Sequence, residues 1–376
     1  MTVWARGRTR RIAGAIVITF ATCSVQLPSS AQADEPRILR MANRADQIGD
    51  DTLAKFEAET GIKVQYDVYA DDAALERKLA DGHPGYDLVV MSAVPALARQ
   101  IAAKHLRPID SAKLQNYTNL DPAMLTLTGT VDPKNRYAVP YLWGMSGLGI
   151  NVEKLKAAAP DAPLDSLDLL FDPAIVSRAA ACGIAVPDLP QELIPAALLW
   201  LGRDPASRDE ADLNQAIDAI DKVRGYFRRL HGPQRIDPLT HGQVCVAYEG
   251  IVDHALARSH ADEPDPGLDI AYAVPRQGGL LWVDVLAIPA DAADPEAALA
   301  LIDFLLRPEI IGDITNRVET ANPNMLSLDF VDEELKSDAS VFPPDAIRSK
   351  LVLDPPVAPA YERARTKAWA RLRAVK

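Results

Sequence analysis

Residues 37–69 read RILRMANRADQIGDDTLAKFEAETGIKVQYDVY, and this stretch decides the fold. An apolar strand beginning at Ile38 is followed by a polar loop and then by apolar residues at helical spacing, with Asp50 or Asp51 expected to cap the helix by its side chain. Gly61 is expected to end that helix, because apolar and polar residues alternate after it as in a strand. The pattern predicts a βαβ unit with parallel strands and a right-handed crossover.

The polar loop after the first strand carries Asp46. In open α/β sheets, ligands bind at the loops beyond the carboxyl ends of the strands. We therefore predict that Asp46 belongs to a binding site. Ser92 has a comparable place, because it follows the buried strand predicted over residues 86–91.

Two extended segments divide the chain into two predicted lobes. With 376 residues and 48% apolar content, the chain can bury one large core or two ordinary ones, and two is the better expectation. The glycine-punctuated segment 137–151 and the segment 268–275 are predicted to cross between lobes. We assign residues 34–143 and 274–318 to lobe 1, and residues 144–273 and 319–376 to lobe 2. A cleft between lobes suits a small ligand.

The first 33 residues have the features of an export signal. Four arginines precede the apolar run 12–27, and Ala31-Gln32-Ala33 forms a small-residue cleavage site. The general secretory route is favoured over the twin-arginine route, and the poor fit of Thr22 before Cys23 argues against a lipid anchor. No later apolar run is long enough to span a bilayer. The expected location is the periplasm, without membrane insertion.

The chain is acidic, with a formal net charge of −12. Removal of the signal takes away four arginines and no acid, so the net charge becomes −16. This charge argues against nucleic acid or an anionic membrane as a partner and suits a cationic ligand. Solubility of an exported protein explains the same charge equally well.

Cys182 and Cys245 remain after the signal is removed. In an oxidising compartment, an isolated pair of cysteines favours a disulfide over a catalytic or metal site. Closing that loop would stabilise the fold by roughly 4 kcal/mol in the chain-entropy model.

The sequence contains no motif for a catalytic centre or cofactor site. It has no Gly-x-Ser-x-Gly elbow, His-Glu-x-x-His helix, phosphate loop or Cys-x-x-Cys pair. His241, Glu249 and His254 could be drawn together as a metal site, but solvated surface histidines are favoured. We therefore predict no catalytic residue, no metal, no cofactor and no enzymatic activity.

Several runs of sequence resemble the periplasmic polyamine-binding proteins of bacterial ABC importers, most closely the putrescine-binding branch. They occur in the family's order from about residue 37 to residue 376, and they read TLAKFEAETGIKVQYDVY, GYDLVVMSA, YAVPYLWGMSGLGIN, VDVLAIPADA, FLLRPEI and VFPPDAIRSKL. The resemblance implies an α/β fold of the two-lobed periplasmic-binding-protein class (type II), with segmented lobes joined by hinge crossings. It also implies a monomeric ligand trap that delivers putrescine or another polyamine to an ABC permease, and it places a disulfide at the two cysteines.

The resemblance also assigns ligand-binding positions. Asp46 stands at the acidic position of the first loop, and Ser92 at the serine that ends a strand. Asp253 and Asp284 stand where carboxylates receive ammonium ends, and Trp282 replaces one aromatic wall by another. These roles suit a polyamine, because buried ammonium groups need carboxylates and the methylene chain packs on aromatic faces.

The chain departs from the putrescine-binding branch at several of its ligand positions. Its residues at these positions are Arg44, Ala45, Gln47, Gln191, Gly250 and Thr320. The carboxylates expected to bind ammonium groups are thus largely kept, while most of the aromatic residues expected around the ligand are absent.

Arg44 is the departure that conflicts most with a diamine ligand, because it is positively charged. A guanidinium in the cleft would repel a diamine unless Asp46 or Glu249 neutralises it, since repulsion at 4 Å is about 4 kcal/mol at an effective dielectric of 20. Three arrangements of Arg44 are open. It could pair with an acid and leave a modest polyamine site, or it could bind the carboxylate of a zwitterionic amino acid or amine conjugate. It could also point to solvent. A periplasmic sensor that docks on a receptor remains a further alternative.

Overall fold

The computed structural model describes residues 1, 2, 4, 37–45, 47–82, 85–230, 237–250, 270–353 and 357–374. Most of the predicted signal lies outside these ranges, as do Asp46, Asp253 and His254. Within the described ranges, no helix has both the length and the apolar character needed to cross a membrane.

The strands of the described part form one continuous sheet path. They are β1 (Ile38–Arg44), β2 (Lys63–Tyr69), β3 (Leu88–Ser92), β4 (Ala138–Asn151), β5 (Ile184–Pro187), β6 (Phe227–Leu230), β7 (Val246–Gly250), β8 (Ile270–Ala273), β9 (Gly279–Ala287) and β10 (Leu351–Leu353). Their order is β2-β1-β3-β9-β4-β7-β5-β6, while β10 pairs with β9 and β8 with β4. The pairs β1/β2 and β1/β3 are parallel, which confirms the parallel strands of the predicted βαβ unit.

The helices cover the sheet and connect its strands. They are α1 (Thr52–Thr60), α2 (Asp72–Ala80), α3 (Ala98–Ala103), α4 (Pro122–Thr128), α5 (Val152–Ala158), α6 (Asp168–Phe171), α7 (Pro173–Ala179), α8 (Pro190–Trp200), α9 (Glu210–Val223), α10 (Asp237–Thr240), α11 (Pro295–Leu305), α12 (Pro308–Val318), α13 (Glu333–Ser337), α14 (Asp345–Arg348) and α15 (Pro359–Ala374). A π-helical turn, Ala93–Leu97, leads into α3.

Helix α1 begins after Asp51, but its predicted side-chain cap is wrong. The Asp51 side chain accepts no hydrogen bond from the first turn and instead pairs with Lys55 Nζ at 3.1 Å. Asp50 pairs with Arg317 Nε at 3.0 Å. Both carboxylates therefore go to cations rather than to backbone amides. Gly61 ends the helix in the left-handed conformation, as predicted.

Strand β4 belongs to two parts of the sheet and is buried along its whole length. Its first half pairs antiparallel with β9, and its second half pairs with β7 and β8. The predicted long, glycine-containing extended segment is thus confirmed as a strand, while its role as a crossing between lobes stays a prediction. A glycine is needed at position 147 for a steric reason. A Cβ there would lie 2.8 Å from the carbonyl oxygen of Ala273 and from the ring of Tyr272.

Separate hydrophobic cores lie on either side of this crossing strand. Two cores cover the faces of the sheet around β1, β3 and β9, and a third is built mainly from β5, α8, α9 and α15. The division into lobes stays a prediction. We note that residues 321–353, assigned to lobe 2, contribute Val331, Val341 and Leu353 to a core shared with Met91 and Val285.

A disulfide joins Cys182, in the turn after α7, to Cys245, immediately before β7. The two Cα atoms lie 5.4 Å apart, and the sequence separation is 63. The predicted pairing is confirmed.

Candidate ligand-binding cleft

A cavity of about 1180 Å³ opens beside the carboxyl ends of β1, β2 and β3. Strand β9 and the first turns of α8 and α15 complete its walls. Its polar, charged and aromatic lining consists of Arg44, Gln47, Tyr69, Asp72, Ser92, Arg99, Ser146, Gln191, Glu192, Trp282, Asp284, Glu362 and Arg365. This is the place that the rule for open α/β sheets predicts for a ligand.

The register of the sheet brings the side chains of the first wall together. Arg44, Tyr69 and Ser92 are the last residues of three neighbouring parallel strands. Strand β9 runs antiparallel to β3 and places Asp284 opposite Ser92. Trp282 lies two residues earlier on β9, so it faces the same side of the sheet as Asp284. The wall therefore combines two acids, a cation and two aromatic rings.

Arg44 lies between two carboxylates rather than in solvent. Its Nη2 is 2.8 Å from Oδ1 of Asp72 and 3.5 Å from Oδ1 of Asp284, and its Nε donates to the hydroxyl of Tyr69 at 3.4 Å. Burial opposes the charged form, but the charges of Asp284 and Asp72 outweigh it and raise the pKa of Arg44 above its ordinary value. The guanidinium is therefore a fixed positive charge in the wall.

Asp284 is almost sealed from solvent, with 2% of its surface exposed. Burial raises the pKa of its carboxyl group, whereas Arg44 and a hydrogen bond from Gln47 act in the opposite direction. Nε2 of Gln47 donates that bond to Oδ2 of Asp284 at 3.0 Å. The ionised form of this buried acid thus depends on its neighbours in the same wall.

Asp72 is one of the site residues that the sequence analysis missed. Ser92 donates its hydroxyl hydrogen bond to Oδ2 of Asp72, whose other oxygen holds Arg44. The adjacent Asp71 caps α2 by accepting from the backbone amide of Ala74 at 2.7 Å, so Asp72 is not needed as a cap. The sequence contained a signal for this residue, because the pair Asp71 and Asp72 comes just after the segment that forms β2.

Gln47 is buried in the same wall, with 5% of its surface exposed. Its backbone carbonyl accepts from Nδ2 of Asn43 at 3.2 Å and from the hydroxyl of Tyr141 at 2.8 Å. Within the described residues, its side-chain oxygen Oε1 is buried and has no hydrogen-bond partner. The residue is therefore held in place while one acceptor remains unused.

The structure brings five of the predicted ligand residues to this one cavity, namely Arg44, Ser92, Gln191, Trp282 and Asp284. Their role in binding stays a prediction, as do the roles of Asp46 and Asp253, which lie outside the described residues.

Two further sequence expectations concern residues around the cavity. The guanidinium of Arg44 pairs with Asp72 and Asp284, whereas the sequence analysis named Asp46 or Glu249 as the acid that could neutralise it. Thr320 does not line the cavity, because it is buried and its hydroxyl donates to the carbonyl of Val318 at 3.0 Å. In the part of the chain that the structure describes, no three His, Cys, Asp or Glu side chains form a metal site.

Comparison with known proteins gives the family. Residues 51–341 match the model of the bacterial extracellular solute-binding proteins. The chain is 38% identical to the putrescine-binding periplasmic protein PotF of Escherichia coli K12, over 92% of this chain and 93% of that protein. It is 37% identical to the putrescine-binding periplasmic protein SpuD of Pseudomonas aeruginosa UCBPP-PA14, over 94% of this chain and 97% of that one.

Solved structures show the same fold. The spermidine/putrescine ABC transporter substrate-binding protein PotD of Streptococcus pneumoniae superposes with a TM-score of 0.80 at 22% identity, covering 90% of this chain and 99% of that one. The predicted two-lobed, type II α/β fold is thus confirmed. Solute-binding proteins hold their ligands without converting them, so the chain is not an enzyme. With the family match over residues 51–341 and near full-length similarity to two such proteins, the chain belongs to the bacterial extracellular solute-binding proteins.

Proposed function

We propose that this protein captures a small amine of the putrescine class in its cleft and delivers it to an ABC importer. The observation that carries the proposal is the wall in which Asp72 and Asp284 lie beside Trp282 at the carboxyl ends of the strands. The names of the relatives support the same class of ligand, since they include putrescine-binding and putrescine/agmatine-binding proteins.

The wall meets the physical needs of an ammonium group. Such a group loses its hydration when it is buried, so carboxylates must replace the lost water. Asp284 is buried and Asp72 is partly buried, so both act in a medium that screens charge less than bulk water does. The face of Trp282 offers an apolar wall for methylene groups and attracts a cation by about 0.5–2 kcal/mol.

The opposite wall supplies further polar groups. Gln191 and Glu192 lie in the first turn of α8, while Glu362 and Arg365 lie near the start of α15. A ligand between these walls would contact both parts of the chain that β4 connects. We infer that binding brings the two lobes together around the ligand.

The names of the relatives support a proposal for the location and partners of the protein. PotF and SpuD are named as periplasmic proteins, and PotD is named as part of an ABC transporter. We propose that this chain is likewise exported through its first 33 residues and acts as a monomer that docks on a permease. The acidic composition suits a carrier of cations, and no step requires a cofactor.

Isothermal titration of the purified protein with a panel of diamines, longer polyamines and basic amino acids tests the proposal. We expect saturable binding of at least one amine, and a loss of roughly tenfold or more in affinity for Asp284→Asn, which corresponds to about 1.4 kcal/mol. Asp132→Asn is the matched control, because Asp132 is equally buried but does not line the cavity. Equal affinity in the wild type and Asp284→Asn would refute the site.

A further inference from the structure

The cleft wall offers an unused donor and an unused acceptor on two side chains that both contact Asp284. We propose that Arg44 makes the site select amines that also carry a carboxylate over simple diamines, with Gln47 receiving the ammonium group. The inference rests on the proposed capture of amines, and it ranks carboxylate-bearing amines above putrescine itself. Its basis is the juxtaposition of a guanidinium and a buried amide oxygen around the carboxylate of Asp284.

Arg44 has a donor to spare. Its Nε and Nη2 contact Tyr69, Asp72 and Asp284, whereas its Nη1 donates to no atom within the described ranges. The side chain lines the cavity and keeps 33% of its surface exposed. A guanidinium held in this way by two acids needs little reorganisation to bind a carboxylate, and its planar donors match carboxylate geometry.

Gln47 provides the complementary acceptor. Its amide nitrogen is committed to Asp284, which fixes the orientation of the amide and leaves Oε1 as the free atom. A buried acceptor without a partner is costly, so a ligand that donates to it gains binding free energy. An ammonium at this position would also lie near the carboxylate of Asp284, to which Gln47 is bonded.

A diamine fits this wall poorly. Arg44 already occupies the space between Asp72 and Asp284 and partly neutralises both. A second ammonium group would have to approach the guanidinium or displace it from two carboxylates. A ligand that presents its carboxylate to Arg44 replaces that repulsion by attraction.

The described part of the cavity lining carries little net charge. It contains four acids, Asp72, Glu192, Asp284 and Glu362, and three arginines, Arg44, Arg99 and Arg365. These described residues together carry one excess negative charge. Within these described residues, a single ammonium group would balance that excess.

Three chemically matched probes test the inference, namely putrescine, ornithine and 4-aminobutanoate. Ornithine is putrescine carrying one carboxylate. 4-Aminobutanoate keeps the four-carbon chain of putrescine but has a carboxylate in place of one aminomethyl group. We expect the wild-type protein to bind at least one of the two carboxylate-bearing probes roughly tenfold or more tightly than putrescine in calorimetric titration. In Arg44→Gln, this preference should disappear, and the affinity for putrescine should rise.

Arg307→Gln is the control. Arg307 does not line the cavity, and its guanidinium donates to Glu59 at 2.8 Å, so the preference should not change. If Arg44→Gln does not fold, as judged by its thermal melting curve, Arg44→Lys keeps the charge but lacks the forked donor. The Arg44→Lys variant should then also show a weaker preference for the carboxylate-bearing probes over putrescine.

The inference is overturned if wild-type protein binds putrescine as tightly as both carboxylate-bearing probes, or if the preference survives in the Arg44 variant. Either result would leave capture of amines intact. Failure of all three probes and of the wider amine panel would instead refute the proposed function itself.

Discussion

Arg44 and Asp284 show how two buried side chains control each other's charge. The carboxylates raise the pKa of Arg44, and Arg44 lowers the pKa of Asp284 against the larger effect of burial. The net pKa of Asp284 nevertheless remains above its ordinary value. Its ionised form, which attracts cations, is therefore easier to lose in acid than that of an exposed aspartate.

We predict that amine affinity falls as the pH is lowered through the raised pKa of Asp284, starting at higher pH than the ordinary aspartate value of about 3.9. A raised carboxyl pKa means that the folded chain keeps a proton that the unfolded chain has released. This group therefore favours folding less as the pH rises through that window, so its protonation does not unfold the protein. Titration with an amine between neutral and acid pH, with circular dichroism to monitor folding, tests both statements.

Asp284→Asn serves as the control for this pH dependence. Asparagine does not titrate, so the remaining affinity of the variant should vary less over the same range. A profile as steep in the variant as in the wild type would assign the dependence to another group.

Sequence reasoning identified part of the site for a clear physical reason. Strand ends mark the edge at which ligands bind, so Ser92 could be chosen from its position. The resemblance supplied Trp282 and Asp284. Neither source showed that Asp72 turns inward, because an acid at the start of a helix is more often a cap, and only the contact of Asp71 with Ala74 shows otherwise.

At the scale of elements, helix α11 shows how one residue can fix the start of a helix. Asp294 precedes Pro295 and accepts from the backbone amide of Ala297 at 3.0 Å. Its side chain also accepts hydrogen bonds from the guanidinium of Arg37. The hydrogen bond from Arg37 lowers the pKa of Asp294 below its ordinary value.

We predict that Asp294→Ala lowers the free energy of unfolding by about 1 kcal/mol at neutral pH, the usual cost of removing a helix cap. Because the pKa of Asp294 is lowered on folding, its contribution is present above the unfolded pKa and is lost as the pH falls through the folded pKa. Urea unfolding at neutral pH and near pH 3 measures both effects.

Asp51→Ala is the matched control for the cap. Asp51 also precedes a helix, but its side chain makes no capping bond and is 67% exposed. Asp51→Ala should lower the free energy of unfolding clearly less than Asp294→Ala does. Equal losses in the two variants would show that the cap bond at α11 is not the cause.

Some elements followed from the sequence and others did not. The crossing strand β4 could be predicted because its apolar residues and glycines run on without a turn signal. Residues 244–248 are all apolar, as in a buried strand, but β7 begins only at Val246. Backbone amides of Gln243 and Val244 donate to the carbonyl of Pro238 instead, a turn that periodicity does not reveal.

At the scale of the whole molecule, the disulfide closes a long loop in the second part of the sheet. It connects the turn after α7 to the start of β7, and the backbone amide of Cys245 donates to the carbonyl of Gly183 at 3.0 Å. Cross-linking two residues 63 positions apart restricts the unfolded chain more than a short loop would.

We predict that replacing Cys182 and Cys245 together by alanine lowers the free energy of unfolding by roughly 4 kcal/mol, the value of the chain-entropy model for a loop of this length. The cleft should keep its amine affinity, because neither cysteine lines the cavity. Denaturant unfolding of the oxidised wild type and the double variant gives the difference. An unchanged free energy of unfolding would contradict the prediction.

The overall architecture was predictable because its signals are long-range and redundant. A βαβ unit, a glycine-punctuated crossing strand and two cysteines in an exported chain together indicate two α/β parts around a cleft. The path of the chain after α12 was harder to predict. Residues 321–353 return to the core around Met91, Met145 and Val285, and this packing has no local signature in the sequence.

The central claim is that the wall formed by Arg44, Asp72 and Asp284 holds an amine. A crystal structure of the protein with the tightest-binding probe, putrescine, ornithine or 4-aminobutanoate, tests it most directly. The account predicts a ligand nitrogen within hydrogen-bonding distance, about 2.7–3.2 Å, of Gln47 Oε1 or of a carboxylate oxygen of Asp72 or Asp284. A ligand bound elsewhere, or one whose nitrogen atoms all point away from this wall, would contradict it.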